Sequence, residues 1–263
     1  MKKTLSIIFI IGFILAVVFG FLTFKEMRTE AKKNTITTMV NKDIKDNIHN
    51  LKIDAHSAEV KVKRGDKLHV KMRGPKDKVT NKAETTGDTL NITSKLKKKI
   101  ISFNVFSNDK NKIIITLPKK LKKLEIQNGS IDISGVKAER SILNVNSEDL
   151  DVDGSDLGEL TGKCDSGEIN FRNSKFTRTN LSNDSGEINV SNTPTDIPMN
   201  LNNDSGEINL SYDEKLRNTQ IKNNSTDDSG EINISKSELK HHQIGSGDNI
   251  ISINNDSGEI NIT

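Results

Sequence analysis

Over the second half of the chain, apolar and polar residues alternate with period two in short bursts, and the bursts recur at a near-constant interval. The hexapeptide Asp-Ser-Gly-Glu-Ile-Asn begins at Asp165, Asp184, Asp204, Asp228 and Asp256, and degenerate copies begin at Gln127 and Asn146. Those starts are separated by 19, 19, 19, 20, 24 and 28 residues. Self-similarity at about 20 residues marks a stacked-repeat architecture, in which each unit buries its apolar face against its neighbours. Alternation after the Gly points Ile169, Ile188, Ile208, Ile232 and Ile260 inward, followed two residues on by Phe171, Val190, Leu210, Ile234 and Ile262. A second strand is expected before each motif, because Leu143, Leu181, Leu201 and Ile253 stand three residues ahead of it. The predicted fold is all-β, a parallel β-helix or solenoid of about 19-residue coils.

Glycine at the third motif position gives the turn a backbone free to take positive φ, and the Asp and Ser before it can bond nearby main chain. Stacking places like residues about 4.8 Å apart. Asn170, Asn189, Asn209, Asn233 and Asn261 are then expected to form an amide ladder. The acidic row is Asp165, Glu168, Asp184, Glu187, Asp204, Glu207, Asp228, Glu231, Asp256 and Glu259. Adjacent like charges at that spacing cost about 0.9 kcal/mol in water and roughly 3.5 kcal/mol at an effective dielectric of 20. The row is therefore expected to face solvent or neutralising cations such as Ca²⁺; its spacing matches neither the EF-hand loop nor the calcium nonapeptide.

Ahead of the repeats, alternating segments at 51–53, 58–62, 68–72, 90–92 and 113–118 read as strands, with turns at Arg64-Gly65-Asp66, Gly74-Pro75 and Gly87-Asp88. They predict an N-terminal β cap. The stretch Leu5–Phe24 is apolar save Ser6 and Thr23, follows Lys2 and Lys3, and is long enough for one transmembrane helix. A cleaved signal of unusual length is the alternative, and either one exports the remainder. The expected organisation is a tail and transmembrane anchor at 1–24, a polar, partly helical juxtamembrane stalk at 25–46, a basic β module at 47–124 and an acidic solenoid at 125–263.

Charge sharpens that division. The net charge of +3 averages 26 basic and 11 acidic residues over 25–124 with 11 basic and 25 acidic residues over 125–263. Two lysine clusters stand out, Lys95 with Lys97, Lys98 and Lys99, and Lys119 and Lys120 with Lys122 and Lys123. They are candidates for contact with anionic lipid or teichoic-acid phosphate, against the plainer reading of solvated strand faces. An exported chain without a reader motif leaves no expectation of nucleic-acid binding.

Catalytic patterns are absent from the sequence. Every coil offers the same carboxylates, whereas acid–base chemistry needs two in different environments. The five His lack metal-ligand spacing, and no G-x-S-x-G or H-E-x-x-H occurs. No cofactor beyond the Ca²⁺ considered above is expected. A glycan-active β-helix enzyme and a cation-binding rod remain the alternatives to a binding protein. Sugar stacking is poorly served, since there is no Trp and one Tyr. With a single cysteine, Cys164, no intramolecular disulfide can form.

The segment Ile113-Ile-Ile-Thr-Leu-Pro118, then Lys122-Lys123-Leu124-Glu125-Ile126 and the serial S-G-E-I-N strands, resembles the bacterial "putative adhesin" family of envelope β-solenoid proteins, which includes LiaG-like proteins. The resemblance covers roughly Asn47 to Thr263. It implies a non-enzymatic extracytoplasmic solenoid with an N-terminal β cap, acting in adhesion or as an accessory to envelope stress systems, and it carries over no binding residue. Because the sequence stops within a motif strand, Glu259-Ile-Asn-Ile-Thr263, the C-terminal coil is expected to present an open edge for a protein partner or a second copy.

Overall fold

The structure, a computed structural model, describes residues 19–21, 23, 35–56, 58–97, 111–146, 148–225, 230–235, 237–239 and 241–263. Its early strands are β1 (Ile36–Asp43), β2 (Asn50–His56), β3 (Glu59–Arg64), β4 (His69–Pro75), β5 (Val79–Thr86), β6 (Thr89–Leu96) and β7 (Lys112–Leu117). The next are β8 (Leu121–Asn128), β9 (Ile131–Ser134), β10 (Ala138–Val145) and β11 (Leu150–Asp153). The repeats form β12 (Glu159–Arg172), β13 (Arg178–Ser191), β14 (Met199–Ser211), β15 (Thr219–Asn223), β16 (Gly230–Ile234), β17 (Gln243–Ile244) and β18 (Asn249–Ile262).

Each long repeat strand bends at the Asp-Ser-Gly corner, so one coil contributes two runs to two stacked faces. The runs before the corner stack in the order β5, β6, β2, β8, β10, β12, β13, β14, β18, β15, β17. The runs after it stack as β1, β4, β7, β3, β9, β11, β12, β13, β14, β18, β16. The pairings β5–β6, β15–β17, β1–β4 and β4–β7 are antiparallel and all the others in the two stacks are parallel. The register keeps the hexapeptides aligned, with Ile169 opposite Ile188 and Ile188 opposite Ile208. The solenoid read from the period is present.

The core is the column of inward side chains. Ile169, Ile188, Ile208, Ile260, Leu143, Leu181, Leu201 and Ile253 are fully buried, each contributing about 1.5–3 kcal/mol. Phe171 and Phe176 fill the wider coil edge-to-face, with centroids 6.2 Å apart. Gly206 shows why the corner residue lacks a side chain: at φ 124°, a Cβ would lie 1.9 Å from the carbonyl oxygen of Gly186 one rung below.

Chain order and stacking order part company at both ends. At the start, the β2–β3 coil sits between the later β6–β7 coil and the β8–β9 coil. At the finish, β18 lies between β14 and the earlier pair β15 and β16. β16 and β18 carry the same five residues in register, Gly230 opposite Gly258 through Ile234 opposite Ile262, and the longer spacings before their motifs give the chain the length to pass a rung. The end of β18 is tied to both neighbours: Thr263 N donates to Leu210 O and Tyr212 N donates to Thr263 O on the β14 side, and Ser235 N donates to Ile262 O on the β16 side, all at 2.9 Å.

Four expectations are corrected. Among the described residues no helix is long and apolar enough to cross a membrane, which overturns the transmembrane helix placed ahead of the solenoid. Of Leu5–Phe24, only residues 19–21 and 23 are described; the rest of that expected anchor lies outside the described residues. Within the expected stalk, residues 36–43 are strand, because the β-branched run Ile36-Thr37-Thr38 and Val40 suits pairing with β4. The C-terminal coil presents no open edge, since β18 has a strand on each side; at this end of the stack the runs with one strand neighbour among the described residues are β16 and β17. The N-terminal strands do not form a separate cap either. They continue both stacked faces without a break, β2 with β8 and β3 with β9.

Candidate functional site

The flank of the rod carries the polar residues singled out by the repeats. Asn170 Nδ2 donates to Asp151 Oδ1 (3.2 Å), Asn189 to Asn170 (3.0 Å), Asn209 to Asn189 (2.9 Å), Asn261 to Asn209 (3.0 Å) and Asn233 to Asn261 (3.3 Å). The amide ladder therefore exists and has a direction. Every rung donates toward the N-terminal end, where the chain of bonds terminates on a carboxylate. Amides of the ladder also reach the Glu two residues before them, as Asn189 does to Glu187 at 3.1 Å.

Glu168, Glu207 and Glu259 are exposed, as are the corner residues Asp165, Asp184, Asp204 and Asp256; Glu187 is half-buried. Asp228 lies outside the described residues, as does the side chain of Glu231. Lys163 shares the first corners, 2.9 Å from Asp165 and 4.0 Å from Asp184, and the bond to Asp165 raises the pKa of its ammonium. Among the described residues no trio of His, Cys, Asp and Glu converges on a point where it could hold a metal ion.

A second, internal polar row escaped the sequence reading. Asn183, Asn203 and Asn255 are buried just ahead of their corners, and each Nδ2 donates to a Gly carbonyl one rung below, Gly167 (3.0 Å), Gly186 (3.2 Å) and Gly206 (3.1 Å). Their recurrence at one offset before the hexapeptide was the available signal. Cys164 occupies the same column, with Sγ 3.4 Å from Glu148 O, and burial pushes its thiol up to about 11. Asp196 was also missed. It receives Asn218 N (2.7 Å), Thr219 Oγ1 (2.8 Å) and Arg217 N (3.1 Å), fixing the entry to β15. Burial works to raise this carboxyl, but the three donors together outweigh it and hold it below the ordinary range.

The lysine clusters are not brought together. Lys123 is level with Asn50, and Asn50 with Thr89; Lys95 lies six residues further along β6, about 20 Å away at 3.3 Å per residue. Lys123 pairs with Glu125 (2.7 Å) and Lys120 with Glu139 (3.6 Å), while Lys119 and Lys122 are exposed. Lys95 and Lys97 are exposed at the far corner; Lys98 and Lys99 lie outside the described residues. Lys97 Nζ donates to Lys76 O at 2.6 Å and so turns toward the β4–β5 turn. There a cleft of about 470 Å³ opens, lined by Thr37, Thr38, Met39, Lys76, Val79, Thr80, Asn81 and Lys97.

The family model described as Toastrack DUF4097 matches residues 48–134 and again 121–263, the two matches sharing β8 and β9. The resemblance to the adhesin family is thereby borne out. No curated protein matches. Distant likenesses occur among solved structures. A "putative cell adhesion protein" from Clostridium sporogenes is 14% identical over 88% of this chain and 99% of its own, with a TM-score of 0.33. A "putative adhesin" from Bacteroides fragilis is 12% identical over 87% and 97%, with a TM-score of 0.41. A "putative lipid binding protein" from Parabacteroides distasonis is 18% identical over 87% and 97%, with a TM-score of 0.34.

Proposed function

From the membership of this chain in the Toastrack DUF4097 family and the uniformity of its flank, we propose that it is a non-enzymatic binding scaffold of the bacterial cell envelope, displayed outside the cytoplasm. The observation that carries the reading is the ladder. Asn170, Asn189, Asn209, Asn261 and Asn233 repeat one geometry rung after rung, and of the described carboxylates beside them Glu168, Glu207 and Glu259 are exposed and Glu187 is half-buried, none of them sequestered from solvent. Acid–base catalysis needs carboxyls whose surroundings differ, and a row of equivalent groups supplies none. A rigid, repeated surface suits recognition instead, because its donors and acceptors are held in place before a partner arrives. Export is supported by the apolar sequence 5–24 behind Lys2 and Lys3.

The test is photo-cross-linking in intact cells from positions on the ladder flank, with identification of what is captured. The reading expects a discrete envelope or surface partner and no turnover of envelope glycans by the purified chain. Saturable glycan cleavage that vanishes on changing one coil's carboxylates would contradict it.

A further inference from the structure

We propose that the cleft between β1 and the β4–β5 turn binds a phosphate ester of a hydroxylated alcohol, of the glycerol phosphate type. Three independent features converge there. The first is shape: about 470 Å³ falls within the range of small-molecule sites, and it is opened by an irregularity in β1. Thr38 pairs with Arg73 and Val40 with Met72, leaving Met39 as an extra residue bulged from the ladder. Bulges of this kind re-aim side chains at sheet edges, and this one sets Met39 into the cleft wall beside Thr37 and Thr38.

The second feature is a rigid polar wall. Asn81 Nδ2 donates to Asn111 Oδ1 (3.1 Å), Asn111 Nδ2 to Ser94 Oγ (2.6 Å), and Ser94 Oγ to Asn81 Oδ1 (2.7 Å). This closed ring, with Asn111 and Ser94 buried, fixes the amide that lines the cleft. Gly74 brings the floor close: a Cβ there would lie 2.8 Å from Asn111 Oδ1, 3.0 Å from Val79 and 3.3 Å from Met39.

The third feature is charge. The lining includes Lys76 and Lys97, Thr37, Thr38, Thr80 and Asn81, and among the described residues it contains no carboxylate. Lys97 is oriented by its bond to Lys76 O. Two ammonium groups match a phosphate, and the hydroxyls and amide match the alcohol, with Met39 and Val79 as apolar backing. The other lysine cluster lacks this arrangement, because Lys120 and Lys123 already pair with Glu139 and Glu125.

The inference rests on the reading of the chain as a binding protein, and its failure leaves the cross-linking test of that reading intact. The experiment titrates sn-glycerol 3-phosphate into the full chain while following the amide signals of Thr38 and Asn81. A parallel arm sediments the chain with vesicles of phosphatidylglycerol or of phosphatidylcholine. We expect saturable shifts at Thr38 and Asn81 that weaken about tenfold in Lys76→Gln/Lys97→Gln and persist in Lys119→Gln/Lys122→Gln, with thermal melts of both variants matching the parent. Sedimentation with phosphatidylglycerol alone, lost in the first variant, assigns the ester to a lipid headgroup. Saturation by the soluble ester without sedimentation assigns it to a free or polymer-borne ester. No saturable shift in either arm, or shifts indifferent to Lys76→Gln/Lys97→Gln, would overturn the proposal.

Discussion

Asn209 and Asn261 are 52 residues apart in the chain, yet Asn261 Nδ2 donates to Asn209 Oδ1 at 3.0 Å. Asn233, which comes between them in sequence, lies on the far side and donates to Asn261 at 3.3 Å. The last rung is therefore interleaved rather than terminal. Its consequence is mechanical: both edges of β18 are hydrogen-bonded, so the C-terminus does not fray as a free end strand would. The first rung, β2 with β3, is held in the same way at the opposite end.

The corner glycines are predicted to be the least replaceable residues of the rod. Gly206→Ala drives a Cβ into the Gly186 carbonyl and strains a φ of 124°, and should cost about 3 kcal/mol or more in a urea titration. Gly87→Ala, at φ 60° with nothing within 4 Å, carries the backbone strain without the collision and should cost about 1 kcal/mol.

The two asparagine rows should respond differently to the same chemical change. Asn203→Asp replaces a buried donor to Gly186 O by a carboxylate in the apolar interior, and is expected to lose about 3–5 kcal/mol at neutral pH. Asn209→Asp sits on the half-exposed flank, where solvent relieves the charge, and should lose about 1 kcal/mol. Denaturant midpoints of the two variants, compared at neutral and acid pH, check the contrast; acid should restore part of both losses by protonating the new carboxyl.

Asp196 should make stability fall in acid. Its carboxyl is held below its usual range in the folded chain, so its contribution is fully present above the unfolded value near 3.9 and is lost as pH falls through the lower folded value. In Asp196→Asn the donors at Asn218 and Thr219 lose their charged acceptor. That variant should be about 1–3 kcal/mol less stable at neutral pH and show a flatter loss below about pH 4 in thermal melts.

Cys164 should be chemically silent in the native rod. It is fully buried and its thiol is pushed up to about 11, so little thiolate exists at neutral pH. A neutral-pH thiol titration should find no reaction until denaturant is added; rapid native labelling would mean the coil opens there.

Much of the fold was legible because stacking writes itself into sequence. A rung must repeat Ile at the core, Asn on the flank and Gly at the corner, so Ile188, Asn189 and Gly186 announce their neighbours 19 or 20 residues away. The order of rungs was not legible for the same reason. β16 and β18 carry the same Gly-Glu-Ile-Asn-Ile, and either would satisfy the edge of β14. The burial of Asn183, Asn203 and Asn255 was not legible because buried amides are uncommon, and only the carbonyls of the rung below explain them. The cleft at Met39 depends on a bulge between strands distant in sequence, which local alternation does not reveal.

The interleaved rung is tested most directly by paired cysteines. Adjacent parallel strands place equivalent Cα atoms about 4.8 Å apart, within disulfide reach, whereas two rungs stand roughly 9.6 Å apart and beyond it. Under mild oxidation, Asn209→Cys/Asn261→Cys should close a disulfide and Asn209→Cys/Asn233→Cys should not. Closure of the 209–233 pair with the 209–261 pair left open would mean that the rungs stack in chain order, and would contradict the interleaving of β18 between β14 and β16.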